Sequence, residues 1–173
     1  MRMTLRSGKV VDPFNLLIDD IDINDIAHSL SMLCRFNGHT NEFYSVAQHS
    51  VRVSNILQEN LRLEGLLHDA TEFIIGDLIR PIKRMPQLSK YIELEDRLWT
   101  QIALKFNLND PMHKDVERAD KLVLYSEIYQ FMHSNEYLEV PIIPNVSKAW
   151  NFEQAKDEFL YCYYTLIRIR DEL

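Results

Sequence analysis

From about residue 24 onward, apolar residues recur every three or four positions with polar residues between them, the period of an amphipathic helix. Ile26, Ala27, Leu30, Leu33 and Cys34 mark a first helix that Asn24 or Asp25 can cap and that closes near Asn37-Gly38, a pair suited to a left-handed stop. Val46, Val53, Ile56 and Leu57 predict a second helix from about Phe43 to Glu59. Leu63, Leu66, Leu67, Ala70, Phe73 and Ile74 predict a third from about Leu61 to Ile75, ended by Gly76-Asp77. Pro81 and Pro86 then restrict the chain to a loop or short turn.

Tyr91, Leu94, Leu98, Ile102 and Ala103 give a fourth helix over roughly 88–106, and Asp110-Pro111 starts a fifth that extends to about Met132. After the Pro141 to Pro144 connection comes a sixth, over about 150–172, whose apolar face (Phe159, Leu160, Tyr163, Leu166, Ile167, Ile169) is wider than one core contact requires. That width suggests a subunit interface. Before all of these, Thr4 to Val10 reads as a short strand or extended arm ended at Asp12-Pro13. The expected fold is all-α: one domain over residues 1–173, with an N-terminal arm (1–20), a core of about 24–130 and a bundle of about six helices.

Composition narrows the function. With 19 Lys and Arg against 26 Asp and Glu the formal charge is −7, so the chain lacks the basic field that a nucleic-acid polymer or an anionic membrane requires. The four glycines, Gly8, Gly38, Gly65 and Gly76, cannot write a Rossmann or P-loop phosphate cradle. No apolar run has the length of a signal peptide core or a membrane span. Cys34 and Cys162 lie far apart in apolar periodic segments, which suits reduced thiols and a cytoplasmic setting.

Four polar residues occupy apolar faces: His49 on the second helix, His68 and Asp69 on the third, and Asp120 on the fifth beside Val116, Val123 and Glu127. An ionised carboxylate in such a place needs a compensating cation or strong hydrogen bonds. Each residue taken alone also fits a hydrogen-bonded structural role. Taken together, two imidazoles and two carboxylates on three helices can converge on one divalent cation, and mixed nitrogen and oxygen ligation suits Mn, Fe, Co, Ni or Zn.

The spacing of His49, His68-Asp69 and Asp120 resembles that of the HD-domain phosphohydrolases, whose ligands run His, His-Asp, then a distant Asp. The runs CRFNGHTNEFYSVAQHS (34–50), GLLHDATEFIIGDLIRPIK (65–83) and ERADKLVLYSE (117–127) are similar to the bacterial 5′-deoxynucleotidases of that superfamily and to their bacteriophage relatives, some of which are dATP triphosphohydrolases. The resemblance covers about residues 20–130. It implies an HD-domain helical fold, one or more divalent metals (Co, Mn, Zn, Ni, Fe or Mg), a homo-oligomer (dimer or hexamer), and the cytoplasm, the host's if the chain is phage-encoded.

Within that resemblance Asp69 and Glu72 are the candidate catalytic residues. Glu72 follows His68 by four positions and Asp69 by three, so on a helix it shares their side in the place of a general acid or base. Arg35 matches a substrate-binding position and can clamp a phosphate by paired hydrogen bonds. Phe36 can pack on sugar or base, or simply belong to the core. His39 can donate to phosphate or stand in a surface loop. Asp77 corresponds to the residue that reads the sugar 3′-hydroxyl, although helix termination also accounts for it. Arg80, Lys83 and Arg84 place three cations within five residues, suiting a polyphosphate tail or a solvated face. The expected activity is hydrolysis of a small deoxynucleotide. A deoxynucleoside triphosphate, dATP first, leads; a deoxynucleoside monophosphate is second, and a silent nucleotide-binding module third. Alarmone and cyclic-nucleotide hydrolysis, also known for HD domains, fits the GD element and Arg35 less well.

Overall fold

The computed structural model describes residues 2–132, 134, 143 and 148–172, and most of them are helical. The main helices are α1 (Ile23–Met32), α2 (Val46–Asn55), α3 (Arg62–Leu67), α4 (Glu72–Ile75), α5 (Arg80–Lys83), α6 (Ser89–Phe106), α7 (Lys114–Met132) and α8 (Phe152–Asp171). An antiparallel hairpin of β1 (Met3–Thr4) and β2 (Val10–Val11) forms the expected arm. Among the described residues no helix is long and apolar enough to cross a membrane.

Helix α2 is the centre of the bundle, packed on α1, α3, α7 and α8. Ile26 and Leu30 of α1, Val46 and Ala47 of α2, Leu66 and Leu67 of α3 and Phe159 of α8 meet in one core, while Val53, Val116, Ala119 and Val123 form a smaller one between α2 and α7. Capping fixes the ends of these helices. Asp22 accepts from Asn24 N at 2.7 Å, Ser45 from Gln48 N at 3.2 Å, and Asn151 from Gln154 N at 2.8 Å.

Several boundaries differ from the sequence expectation. Helix α1 is capped by Asp22, two or three residues before Asn24 or Asp25 would do so, and Asp25 instead accepts from Ser7 N and Ser7 Oγ (2.9 and 2.6 Å) and ties the hairpin to the bundle. It ends at Met32, not near Gly38: Leu33 is extended, and Cys34 pairs with Ser45 in an isolated antiparallel bridge. Helix α2 is shorter than 43–59, since its cap is Ser45 and the chain turns at Ile56. Helix α7 begins at Lys114 because Glu64, buried on α3, accepts from the backbone of Asn109 (3.3 Å) and His113 (2.5 Å), holding 109–113 as a loop. The expected connection from Pro141 to Pro144 lies outside the described residues, Ile143 excepted.

Gly65 sets the distance between α2 and α3. A Cβ there would stand 2.3 Å from Leu57 Cδ1 and 3.3 Å from Ser54 Cα, so a side chain would push apart the helices that carry His49 and His68. Gly65→Val should therefore destabilise the protein by about 1–3 kcal/mol through overpacking. A thermal melt is expected to fall by roughly 2–12 °C, at about 2–4 °C per kcal/mol for a chain of this size.

Candidate metal centre and its cleft

His49 is fully buried on α2. Its Nδ1 lies 2.8 Å from Oε1 of Glu127, a fully buried carboxylate on α7. An ionised carboxylate only accepts, so Nδ1 carries the proton and donates. Glu127 also accepts from Tyr44 Oη at 2.5 Å, and Arg35 Nε stands 3.2 Å from its other oxygen. Against the burial that opposes ionisation, His49 and Arg35 hold the Glu127 carboxyl below its ordinary range. His49 is thereby oriented, with Nε2 3.6 Å from Asp69 Oδ2 and 3.2 Å from Asp120 Oδ1. Burial and the Arg35 charge oppose a second proton on this imidazole, but Glu127 and the contact with Asp120 outweigh them and push its pKa up to about 9.

The single helix expected over 61–75 is broken at the His68-Asp69 pair. Helix α3 stops at Leu67, and tight turns follow: Ala70 N donates to Leu67 O at 2.9 Å and Glu72 N to Asp69 O at 3.0 Å. His68 Nδ1 donates to Gly65 O at 2.8 Å, a side-chain bond that competes with the regular helical ladder. Neighbours on an α-helix point 100° apart, whereas here His68 Nε2 and Asp69 Oδ2 lie 3.1 Å from each other. His49, His68 and Asp69 thus each offer a ligand atom, all within 4.8 Å of one another.

Asp120 stands at the edge of this group. One oxygen faces His49 Nε2 and the other accepts from Arg80 Nη2. Burial resists ionisation of both acids; His68 holds Asp69 far below the usual carboxylate range, and His49 does the same for Asp120. His49 Nε2 and His68 Nε2 are buried and make no well-formed hydrogen bond; what faces them is carboxylate, Asp120 Oδ1 at 3.2 Å and Asp69 Oδ2 at 3.1 Å. In both rings Nδ1 is already committed to an oxygen, so Nε2 is the nitrogen that faces the cluster; a cation bound there would have to displace any proton on Nε2 to use the lone pair, as metal-binding histidines do. The donor set, two imidazole nitrogens and one or two carboxylates, fits a divalent transition metal.

His68, Asp69 and Asp120 border a cleft of about 920 Å³, which Arg35, Phe36, Glu72, Asp77, Arg80, Lys83 and Arg84 also line. Phe36 and Asn37 both have left-handed backbones (φ 54° and 51°), a tight reversal that turns Arg35 inward, with Nη1 3.4 Å from Asp69 Oδ2, and sets Phe36 on the wall. His39 lies beyond this reversal, exposed, and is not among the cleft-lining residues, so its expected contact with phosphate is not part of this geometry. Burial, Asp69 and Asp77 push the Glu72 carboxyl well above its ordinary range, and one of its oxygens is buried without a partner. Asp77 is likewise raised by burial and by Asp69.

The cationic cluster is not a free positive face. Arg80 is bonded to Asp120, and Lys83 is bonded to Glu95 of α6. Carboxylates outnumber Lys and Arg eight to four among the residues lining the cleft.

Glu127, Tyr44 and Glu95 carry roles that sequence reasoning did not assign. Glu127 follows Asp120 by seven positions, two helical turns on one face, which was a readable signal. Tyr44 and Glu95 become visible only through contacts 83 and 12 residues apart.

Fold and cleft together define an all-α protein with an inward His-His-Asp cluster, two members of which, His68 and Asp69, line an acidic cavity. No family model matches the chain. It is 44% identical over 109 residues to the uncharacterized protein YfdR of Escherichia coli (strain K12), covering 63% of this chain and 60% of that protein. It is 39% identical over 125 residues to the uncharacterized protein RCAP_rcc00048 of Rhodobacter capsulatus, covering 66% of this chain and 63% of that protein. The chain thus spans less than two thirds of the length of these relatives.

Metal content tests the cluster. Elemental analysis should find a divalent metal in the purified wild type and none in Asp69→Ala; equal contents would remove the metal centre. Glu127→Ala leaves the ligands in place but frees His49 to reorient, and chelator competition should show metal affinity lowered about 10–100-fold.

Proposed function

We propose that the chain is a metal-dependent phosphohydrolase of the HD superfamily acting on a small 2′-deoxynucleotide. The observation that carries this reading is the pair of buried imidazoles, His49 and His68, whose Nε2 atoms converge with Asp69 beside a cleft lined by His68, Asp69, Glu72 and Arg35. Mixed nitrogen and oxygen ligands beside a buried acid and a guanidinium are the parts that hydrolysis of a phosphate ester or anhydride uses.

His49, His68 and Asp69, with Asp120 at the edge, would hold the cation, which supplies polarisation of the phosphoryl oxygens and a more acidic water. Arg35 offers its guanidinium to the phosphate, fixed from behind by Glu127. Glu72, whose carboxyl burial and neighbouring charges push well above its ordinary range, would give its proton to the leaving oxygen. Asp77, partly enclosed on the same wall, suits a hydrogen bond with the sugar 3′-hydroxyl. Phe36 offers an aromatic surface to sugar or base.

For the substrate we take a deoxynucleoside triphosphate, dATP first, released as deoxynucleoside and triphosphate, with Arg80, Lys83 and Arg84 beside the tail. Its size suits the cavity, whose volume lies within the usual range for small-molecule sites. A 5′-deoxynucleoside monophosphate is the second reading, favoured by the pairing of Arg80 with Asp120 and Lys83 with Glu95, which leaves less positive charge for a tail. A homo-oligomer and a reducing cytoplasm belong to the same proposal. Exposed Tyr161 and Tyr164 on α8 support the former, and two free cysteines support the latter.

A panel of deoxynucleoside mono- and triphosphates with added Mn, Co, Mg or Zn tests this reading. Deoxynucleoside plus inorganic triphosphate supports the first substrate, and single phosphate released only from a monophosphate supports the second. Binding without any turnover means a silent module. Glu72→Gln should keep metal and fold but lose about 10²-fold or more in kcat. Arg35→Ala should raise KM and lower kcat together, because its charge faces phosphate in ground and transition states alike.

A further inference from the structure

Lys83 and Glu95 pair on the lining of the cleft, one at the end of α5 and the other in the middle of α6. The ammonium lies 2.5 Å from each carboxylate oxygen of Glu95. The side chains are 30% and 19% exposed, so the pair is half withdrawn from water but still reachable from the cavity. A carboxylate bound to lysine through both oxygens occupies the place that two oxygens of an anionic group would take. It also adds a negative charge to a wall where carboxylates already outnumber cations.

We propose that Glu95 is a specificity-determining residue, a built-in anion that occupies Lys83 and so sets how much phosphate charge the cleft accepts. This rests on the phosphohydrolase reading above and adds to it the control of tail length. A short ligand bound at the metal leaves the Lys83–Glu95 pair closed. A longer tail must take Lys83 from Glu95 and approach the freed carboxylate, and that competition lowers its affinity. Arg80 is not equivalent, because its partner Asp120 belongs to the metal cluster and any change there disturbs the centre itself.

Glu95→Gln tests the idea, since the amide keeps the size and one acceptor while removing the charge. Two readouts are taken on wild type, Glu95→Gln, Lys83→Ala and the double variant: calorimetric binding of inorganic tripolyphosphate against orthophosphate, and kcat/KM for deoxynucleoside tri- and monophosphates. Glu95→Gln should strengthen tripolyphosphate binding roughly tenfold and leave orthophosphate nearly unchanged, the scale of one charged contact. The gain should vanish in the double variant, and the triphosphate-to-monophosphate ratio of kcat/KM should rise by a similar factor, chiefly through KM. Equal changes for both probes, or a gain that survives loss of Lys83, would overturn the proposal. A pair that only staples α5 to α6 would lower the thermal midpoint of Glu95→Gln and leave the ratios alone, which also overturns it. If the binding pattern appears and no nucleotide is hydrolysed, Glu95 controls anion length and the phosphohydrolase reading fails. If hydrolysis proceeds with unchanged ratios, the activity stands and the role of Glu95 fails.

Discussion

A carboxylate fully enclosed between α2 and α7 must be compensated on every side, or its desolvation would exclude it from the ionised state. Glu127 meets that demand with three partners drawn from three parts of the chain: the imidazole of His49, the hydroxyl of Tyr44 and the guanidinium of Arg35. Each partner is then committed. His49 can turn only Nε2 toward Asp69 and Asp120, and Arg35 is held against both the buried acid and the cleft. The position of the metal-site candidate is thus a consequence of how one buried charge is neutralised.

The helical content and the polar residues on apolar faces were legible because both depend on periodicity. His49, His68 and Asp69 meet as their faces suggested, although the helix that carries the last two does not continue through them. Its interruption coincides with a bond from His68 Nδ1 to the Gly65 carbonyl, a local feature that apolar spacing does not encode. The same limit applies at Arg35. Asn37-Gly38 was recognised as a turn, but the chain has already left α1 at Met32, because a bridge between Cys34 and Ser45 draws it into an extended path. His39 stands in the exposed loop that the sequence offered as its other reading. Ion pairs such as Lys83–Glu95 and Arg80–Asp120 cross between elements, so a run of cations in sequence gave no sign of its partners.

Electrostatics then connects centre and cleft. Burial, reinforced by repulsion among the acids around the cavity, keeps the Glu72 and Asp77 carboxyls above their ordinary range, while His68 and His49 hold Asp69 and Asp120 below it. The carboxyls of one cavity thus fall into two sets, one held toward the protonated form and one toward the ionised form.

Two departures from regular local structure lie on the cleft rather than elsewhere in the bundle. One is the broken helix at 68–71; the other is the left-handed backbone of Phe36, a bulky residue for which that conformation is costly. The latter is held by surrounding bonds, Arg35 N to Tyr44 O at 2.9 Å and Asn41 N to Phe131 O at 2.9 Å, which tie the loop to the segment before α2 and to the end of α7. Tyr44 and Phe131, whose rings stack at 4.5 Å, complete the same anchor. The strain therefore persists because the packing around Glu127 over-determines it, and its result is a guanidinium and an aromatic ring delivered to the cleft wall from a single turn.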